Sequence, residues 1–329
     1  MSEKIAILGS GAMGTACATV LADNQHNLKV YGIDLIELSD LEQGKNVKYF
    51  SEELIIPKLK TTTDLDEAID DVKYILFAIP TKFIPSVFEL VTSKVKNKVI
   101  IINVSKGFWP DSNLSVHEKM EELTKLNKNI EGIVSIIGPS FAIDMVKRNI
   151  TLVDAVSNNI ELAKKVQYLF SNEYFRVYTQ NDVKGAEAGS IFKNMIAIAS
   201  GMLEGLGYSS NTQAALLTKA MNEIKQYTEY IGGNKETIYG LTGLGDLILT
   251  ALSDKSRNYT FGKNYFNKDF DSERMTIEGL KSIDIIYNLY IKDQILELPI
   301  IESLYKIIYL KNDAKQVINN LMARPLKSE

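Results

Sequence analysis

A glycine-rich segment directly after the first apolar run is the feature that most limits what this chain can fold into. Gly9, Gly11 and Gly14 form a G-x-G-x-x-G pattern between residues 4–8, which are strand-like, and an Ala-rich segment of helical length. In a strand–turn–helix unit the first glycine permits the tight turn, the second lets the backbone approach a pyrophosphate, and the third packs helix against strand. The free N–H groups at the helix N-terminus attract the anion. The pattern therefore predicts a dinucleotide-binding turn formed by Gly9, Ser10, Gly11, Ala12, Met13 and Gly14; the alternative is a turn that binds nothing.

An acidic residue follows at the spacing typical of such a turn. Asp34 ends the next apolar run, roughly 20 residues after the last glycine, where a carboxylate can accept hydrogen bonds from ribose hydroxyls. Three more acidic side chains lie close by in the sequence: Glu37, Asp40 and Glu42. Because this negative cluster disfavours a 2′-phosphate, NAD is the favoured cofactor. NADP stays open because Lys45 and Lys48 are near enough to fold back, and Asp34 as a solvated turn residue is the simpler alternative.

Short β-branched runs alternate with longer amphipathic segments through the first half of the chain. The runs cover residues 5–8, 28–33, 74–79, 99–104 and 133–137. Continuous apolar runs of this length are typical of strands covered on both faces by helices. Their alternation with helical segments predicts a doubly wound, mostly parallel sheet, which a helix over 159–170 and a strand over 175–177 complete.

The pattern becomes helical from Asp182 onward. Val183, Glu187, Ile191 and Met195 follow a helical period with Ala and Gly between them, which predicts a buried central helix that ends near Gly205. Further helices are expected near 212–231, 281–291, 299–310 and 313–322. The predicted fold is therefore α/β: a Rossmann-like domain over residues 1–181, followed by an all-helical substrate and catalytic domain over 182–329.

Composition excludes several classes of function. A net charge of −4 lacks the basic excess typical of nucleic-acid binding. The longest aliphatic run, 99–102, is far below the about 20 residues of a membrane helix, and the N-terminus has no secretory pattern. The single cysteine, Cys17, is expected to be buried in a cytoplasmic protein. With one cysteine and two histidines, no transition-metal site is expected.

Four polar segments interrupt otherwise apolar surroundings. Lys106 and Gly138 each follow a predicted strand, at the sheet edge where doubly wound folds bind ligands. Lys193-Asn194 interrupts the central helix. The segment from Gly243 leads through Asp246 and Thr250 to Ser256-Arg257-Asn258.

Together these segments carry a resemblance to the glycerol-3-phosphate dehydrogenase family. The matching motifs run in order along nearly the whole chain: GSGAMGTA, SKG, GPSFA, GAEAGSIFKNMIAIASGMLEGLG, GLTGLGDLILT, SRNYTFGK, IEG and LPI. The resemblance implies reversible hydride transfer between NAD(P)H and dihydroxyacetone phosphate, giving sn-glycerol 3-phosphate. It also implies a homodimer that supplies glycerol 3-phosphate for phospholipid synthesis.

The resemblance implies roles for matched residues. Lys193 is the proton donor and acceptor, and Lys106 is a second catalytic residue. The implied substrate-binding residues are Lys106, Gly138, Ser140, Lys193, Asn194, Asp246, Thr250, Ser256, Arg257 and Asn258. The implied cofactor contacts beyond the glycine turn are Phe83, Lys106, Ala142, Arg257 and Glu278.

The residue types suit this chemistry. Carbonyl reduction develops negative charge on oxygen, which a cation stabilises and a lysine can protonate. Burial and a neighbouring cation would lower the pKa of Lys193 from its ordinary value of about 10.4, and Arg257 has the geometry to bind phosphate. The alternatives are a solvent-directed Lys193, Asp246 as a helix N-cap, Arg257 in a surface ion pair, and Glu278 on a solvated face.

Three other functions stay open. The same scaffold could act on another phosphorylated polyol or on a hydroxy acid, because Arg257 and Lys106 would serve either anion. A nucleotide-binding protein without catalysis, or a structural module, would need neither Lys193-Asn194 nor Asp246.

Overall fold

A single eight-stranded sheet followed by a helical region forms the fold. The computed structural model describes residues 2–271 and 275–326, so both outer ends of the predicted domains lie outside the described residues. The strands are β1 (Lys4–Leu8), β2 (Asn27–Tyr31), β3 (Lys60–Thr62), β4 (Tyr74–Phe77), β5 (Val99–Asn103), β6 (Ile130–Ile137), β7 (Thr151–Val156) and β8 (Phe175–Gln180). Their order is β3-β2-β1-β4-β5-β6-β7-β8, and every neighbouring pair is parallel except β6–β7. The predicted Rossmann-like, mostly parallel sheet is confirmed.

Helices cover both faces of this sheet. They are α1 (Ala12–Asp23), α2 (Leu35–Gln43), α3 (Leu65–Ile69), α4 (Ile84–Lys94), α5 (Val116–Thr124), α6 (Ala142–Val146) and α7 (Ile160–Phe170). Alternate residues of β1 point to opposite faces: Ile5 and Ile7 pack in one apolar cluster, Ala6 and Leu8 in another. This two-sided burial explains why the strands appear in the sequence as unbroken apolar runs rather than alternating ones.

The pattern of apolar runs in the sequence does not predict two of the strands. β3 has three polar residues at the edge of the sheet, and β7 carries Asp154 within its apolar run. β7 runs antiparallel to β6, and the segment that joins them contains the short helix α6.

The second half is helical in the part that the structure describes. Its helices are α8 (Val183–Gly205), α9 (Ser210–Tyr230), α10 (Asp246–Ala251), α11 (Arg257–Asn264), α12 (Glu278–Ile286), α13 (Pro299–Ile308) and α14 (Ala314–Met322). One-turn 3₁₀ and π segments join them, including a π segment at Leu241–Gly245. The predicted helix near 281–291 is therefore split into α12 and a π segment, Tyr287–Ile291.

The central helix α8 is buried along nearly its whole length. Its small residues let neighbouring helices approach closely: a Cβ at Gly201 would lie 2.1 Å from the carbonyl oxygen of Tyr259 in α11. α8 begins three residues after β8 ends at Gln180, which places its first turns against the sheet. Among the described residues, no helix is long and apolar enough to cross a membrane, and no cluster of His, Cys, Asp or Glu could hold a metal ion.

Candidate active site

The glycine turn between β1 and α1 is tightly closed. A Cβ at Gly14 would lie 1.9 Å from the carbonyl oxygen of Gly9, so only glycine allows this contact between helix and turn. Gly11 is the N-cap of α1 and no side chain caps that end; the nearest atom to a Cβ at Gly11 is the hydroxyl of Tyr49, 3.8 Å away. Open space and uncapped N–H groups at a helix N-terminus fit a pyrophosphate.

Two buried polar side chains from outside this turn, Asn46 and Glu37, hold it, and no sequence motif assigns a role to Asn46. Asn46 Nδ2 donates to the carbonyl oxygen of Ser10 and to Oγ1 of Thr15, both at 2.9 Å. Ser10 Oγ donates to Oε2 of Glu37 at 2.5 Å. Asn46 lies far from the glycine motif in the sequence, in a segment without a regular pattern, so no local signal points to its role.

Asp34 is both a helix cap and an ion-pair partner. Its Oδ1 accepts from the backbone N–H groups of Ile36 and Glu37 at the start of α2, and Lys48 Nζ lies 2.8 Å from its Oδ2. Lys48 holds the pKa of Asp34 below its usual range. The same Nζ lies 2.5 Å from Oε1 of Glu37. Lys48 therefore does fold back onto the acidic cluster and neutralises part of its charge.

Three charged side chains meet at the carboxyl edge of the sheet. Asp246 Oδ2 lies 2.6 Å from Nζ of Lys193 and 2.8 Å from Nζ of Lys106. The side chains of Lys193 and Asp246 are 7% and 2% exposed, while that of Lys106 is 15% exposed. Asp246 is the first residue of α10 and its carboxylate is turned toward the two lysines, so it does not act as the N-cap. Lys193 does not reach solvent.

This arrangement shifts the pKa values of Lys193 and Lys106 in opposite directions. Burial, together with the positive charge of Lys106, lowers the pKa of Lys193 to about 7, although Asp246 acts in the opposite direction. Burial also disfavours charge on Lys106, but Asp246 outweighs it and raises the pKa of that lysine. The two ammonium groups lower the pKa of Asp246 despite its burial. An ionised Asp246–Lys106 pair beside a readily titrated Lys193 is a suitable arrangement for proton transfer.

A chain of amide groups lies beside Lys193. Asn258 Nδ2 donates to Oδ1 of Asn194 at 3.0 Å, and Asn194 Nδ2 donates to Oε2 of Glu278 at 3.3 Å. Oδ1 of Asn258 accepts from the backbone N–H of Gly279 at 3.0 Å. Glu278 thus points inward to Asn194 rather than lying on a solvated face. Three predicted site residues from three helices are joined by hydrogen bonds.

The remaining predicted substrate residues surround this centre. Ser140 Oγ donates to the carbonyl oxygen of Gly138, which also lies 3.5 Å from Lys106 Nζ. Thr250 Oγ1 donates to the carbonyl oxygen of Asp246 at 2.6 Å. Ser256 caps α11 by accepting from the N–H of Tyr259.

Arg257 differs from these neighbours. It is exposed at the first turn of α11, and within residues 2–271 and 275–326 it makes no ion pair. The alternative of a surface ion pair therefore finds no partner there, and its guanidinium is available to an anion.

Two predicted cofactor residues lie outside the hydrogen-bonded centre. Phe83 is 50% exposed in the 3₁₀ turn Thr81–Phe83, where Lys82 Nζ lies 4.7 Å from its ring. Thr81 Oγ1 donates to the carbonyl oxygen of Lys106, so this turn adjoins the lysine loop. Ala142 is the first residue of α6 and makes no hydrogen bond to Lys106, Lys193 or Asp246.

Comparison with known families covers both halves of the chain. Residues 4–163 match the family described as the NAD-dependent glycerol-3-phosphate dehydrogenase N-terminus. Residues 182–319 match the NAD-dependent glycerol-3-phosphate dehydrogenase C-terminus.

Individual relatives agree over the full length. The chain is 46% identical to glycerol-3-phosphate dehydrogenase [NAD(P)+] of Mycoplasma mobile, over 100% of this chain and 98% of that protein. It is 37% identical to the enzyme of the same name from Enterococcus faecalis, over 100% and 98%. The crystal structure of glycerol-3-phosphate dehydrogenase from Coxiella burnetii superposes with a TM-score of 0.85 at 30% identity, covering 98% of this chain and 99% of that one. The chain belongs to the NAD-dependent glycerol-3-phosphate dehydrogenase family.

Proposed function

We propose that this chain interconverts dihydroxyacetone phosphate and sn-glycerol 3-phosphate with NAD(P)H, and that Lys193 transfers the proton at the C2 oxygen. The observation that carries the role of Lys193 is the shared carboxylate oxygen of Asp246, which lies within 2.8 Å of both lysine ammonium groups in a buried site. The names of the full-length relatives support the reaction.

Proton transfer in both directions follows from the pKa of Lys193. At a value of about 7, both protonation states are populated near neutral pH. Protonated Lys193 donates to the new alkoxide during reduction, and neutral Lys193 accepts the hydroxyl proton during oxidation. Lys106, which stays charged beside Asp246, stabilises the developing negative charge on the oxygen.

The substrate would be held by groups on both sides of this centre. Arg257 binds the phosphate, since its exposed guanidinium has the fork geometry for that anion. Asn194 and Asn258 orient the three-carbon chain through amide groups already fixed by hydrogen bonds. Gly138, Ser140, Thr250 and Ser256 complete the proposed substrate set.

The cofactor supplies or removes the hydride at C2 when it is bound. We assign the glycine turn to its pyrophosphate and Asp34 to its ribose, with Phe83, Lys106, Ala142, Arg257 and Glu278 as further contacts. NAD is the favoured cofactor. A 2′-phosphate would have to compete with Asp34 and Glu37 for Lys48, and the three side chains together keep a net negative charge.

We further propose a cytoplasmic homodimer with a dinucleotide-binding domain over 1–181 and a catalytic domain over 182–329. The cytoplasmic assignment is supported by the single buried cysteine, Cys17. Light scattering coupled to size-exclusion chromatography tests the dimer.

The test is oxidation of NADH and of NADPH at 340 nm with dihydroxyacetone phosphate, beside unphosphorylated dihydroxyacetone and a short 2-keto acid. We expect turnover only with the phosphorylated substrate and a higher kcat/KM with NADH. Lys193→Met should abolish turnover, whereas Lys184→Met, an exposed lysine on the same helix, should not. Turnover of the 2-keto acid alone would assign the scaffold to a hydroxy acid instead, and full activity of Lys193→Met would remove it from the mechanism.

A further inference from the structure

A chain of three fully buried polar side chains leads to the loop that carries Lys106. Asn103 ends β5, Ser135 faces it on β6, and His117 lies on α5; each is 0% exposed. Asn103 Nδ2 lies 3.1 Å from Ser135 Oγ, which lies 2.8 Å from His117 Nδ1. His117 Nε2 lies 3.3 Å from Oε1 of Glu121, near the surface. None of these residues belongs to the proposed substrate or cofactor set.

The side chain of Asn103 makes two hydrogen bonds to the backbone of Ser105, the residue before Lys106. Its Oδ1 accepts from the N–H of Ser105 at 3.0 Å, and its Nδ2 donates to the carbonyl oxygen of Ser105 at 2.9 Å. Ser105 Oγ in turn donates to the carbonyl oxygen of Ile79. One side chain therefore fixes both backbone polar groups of Ser105, and with them the direction in which the chain enters Lys106.

The amide of Asn103 fixes one hydrogen-bond direction in this chain. Nδ2 of Asn103 can only donate, so Ser135 Oγ accepts from it. The same hydroxyl shares a second hydrogen bond with His117 Nδ1, whose direction follows the tautomer of the ring. His117 Nε2 lies 3.3 Å from Oε1 of Glu121 without a hydrogen bond to it, so the hydrogen-bonded part of the chain runs from His117 through Ser135 to Asn103.

Packing alone does not account for these residues. The other four residues of β5 are apolar and buried, and an apolar pair at positions 103 and 135 would hold the sheet without any buried polar group. Burying polar groups is unfavourable unless they are hydrogen-bonded, and the side chains of Asn103 and Ser135 are both hydrogen-bonded here. The feature that the chain fixes is the Ser105–Lys106 backbone.

We propose that Asn103 is a positioning residue for Lys106, and that Ser135 and His117 act through it by holding its side chain in place. The proposal rests on the proposed function, in which Lys106 binds the substrate as well as stabilising the charge that develops on its oxygen. Loss of the two hydrogen bonds to Ser105 displaces the ammonium group of Lys106. Displacing a positioned group in an active site by about 1 Å can lower the rate by up to about 100-fold.

Two variants and a matched control test this. Asn103→Ala removes both hydrogen bonds to the backbone of Ser105. Ser135→Ala keeps those two bonds but removes the hydrogen bond that holds the side chain of Asn103. Ser157→Ala is the control: this serine is equally buried and donates to the carbonyl oxygen of Ile133, outside the chain to Lys106. We expect KM for dihydroxyacetone phosphate to rise about tenfold in Asn103→Ala and about threefold in Ser135→Ala. The affinity for NADH, measured by fluorescence, and KM in the control should stay unchanged.

A double variant separates positioning from general destabilisation. If Ser135 acts through Asn103, Ser135→Ala adds nothing to KM once Asn103 is alanine. Partial unfolding would instead lower the apparent kcat and leave KM unchanged. Unchanged KM in Asn103→Ala, or effects that multiply in the double variant, would overturn the proposal. Lys106→Met, measured alongside, separates a failure of the positioning role of Asn103 from a failure of the role proposed for Lys106. If Lys106→Met leaves KM and kcat unchanged, the role of Lys106 itself is wrong.

Discussion

Replacing Asp246 with asparagine removes the negative charge shared by Lys106 and Lys193 while keeping the shape of the side chain. Oδ2 of Asp246 lies 2.6 Å from Nζ of Lys193 and 2.8 Å from Nζ of Lys106. In the variant, two ammonium groups face each other in a buried site with only an amide between them. Charge on Lys193 becomes much less favourable.

The size of the effect follows from the distance. At an effective dielectric constant of about 20, opposite unit charges 2.6 Å apart attract by about 6 kcal/mol. If the amide and rearranged solvent replace two thirds of this, about 2 kcal/mol remains, which corresponds to more than one pKa unit. Asp246 favours the protonated form of Lys193, so its removal lowers the pKa of that lysine further below the wild-type value of about 7.

The sign of the pH dependence is fixed by the protonation state that each direction needs. In the proposed mechanism reduction requires protonated Lys193, so kcat/KM for dihydroxyacetone phosphate is expected to be full below the pKa of that lysine and to fall as the pH rises through it. In Asp246→Asn this fall moves to lower pH by about one unit or more. Oxidation of glycerol 3-phosphate requires neutral Lys193, and its acid limb moves in the same direction.

The assay is the 340 nm rate from about pH 5.5 to 9.5 in both directions, at constant ionic strength. Asp254→Asn is the matched control, because that carboxylate is exposed and pairs only with Lys263 among the described residues. Circular dichroism shows whether the variant is folded. A pH profile for Asp246→Asn that matches the wild type, or a midpoint that moves to higher pH, would refute the proposed coupling.

Three further outcomes are expected. Lys48→Ala leaves Asp34 and Glu37 unneutralised and should lower kcat/KM for NADPH about tenfold more than for NADH, measured at 340 nm. Glu223→Ala removes the buried carboxylate that accepts from the first N–H groups of α13, and should cost about 2 kcal/mol in urea unfolding, with Glu223→Gln losing less. Gly14→Ala forces the turn apart and should weaken NADH binding, measured by fluorescence, at least about tenfold, without loss of helix content. Equal effects on both nucleotides, unchanged unfolding, or wild-type NADH affinity would contradict these three expectations in turn.

Local patterns were sufficient to predict most of the fold. The apolar runs that became β1, β4 and β5 are signals contained within a few residues, and the small residues of α8 lie at a regular helical spacing. β3 and β7 could not be found in this way. β3 is a strand only because β2 offers it an edge to pair with, and that depends on the rest of the sheet.

The candidate site could be predicted as a set of residues but not as an arrangement. Ordered motifs identified Lys106, Lys193 and Asp246, whereas their meeting at one carboxylate oxygen joins a strand end, the central helix and a later helix. Asn46 and His117 are residues that the sequence motifs do not identify at all. Each lies in a segment without a motif, and its role exists only because folding brings a buried donor or acceptor next to it.

The close packing of α8 explains why the lysine pair can work as a unit. Lys193 lies on a helix that is buried along nearly its whole length and its side chain is only 7% exposed, so its ammonium group is satisfied mainly by the side chains around it. Lys106 instead sits on a loop that keeps a small exposed fraction and depends on side-chain hydrogen bonds for its position. The carboxylate of Asp246 contacts both lysines, the one on the buried helix and the one on the loop. Small displacements of the Ser105–Lys106 backbone therefore change the charge felt by Lys193, because both ammonium groups compete for the same carboxylate oxygen.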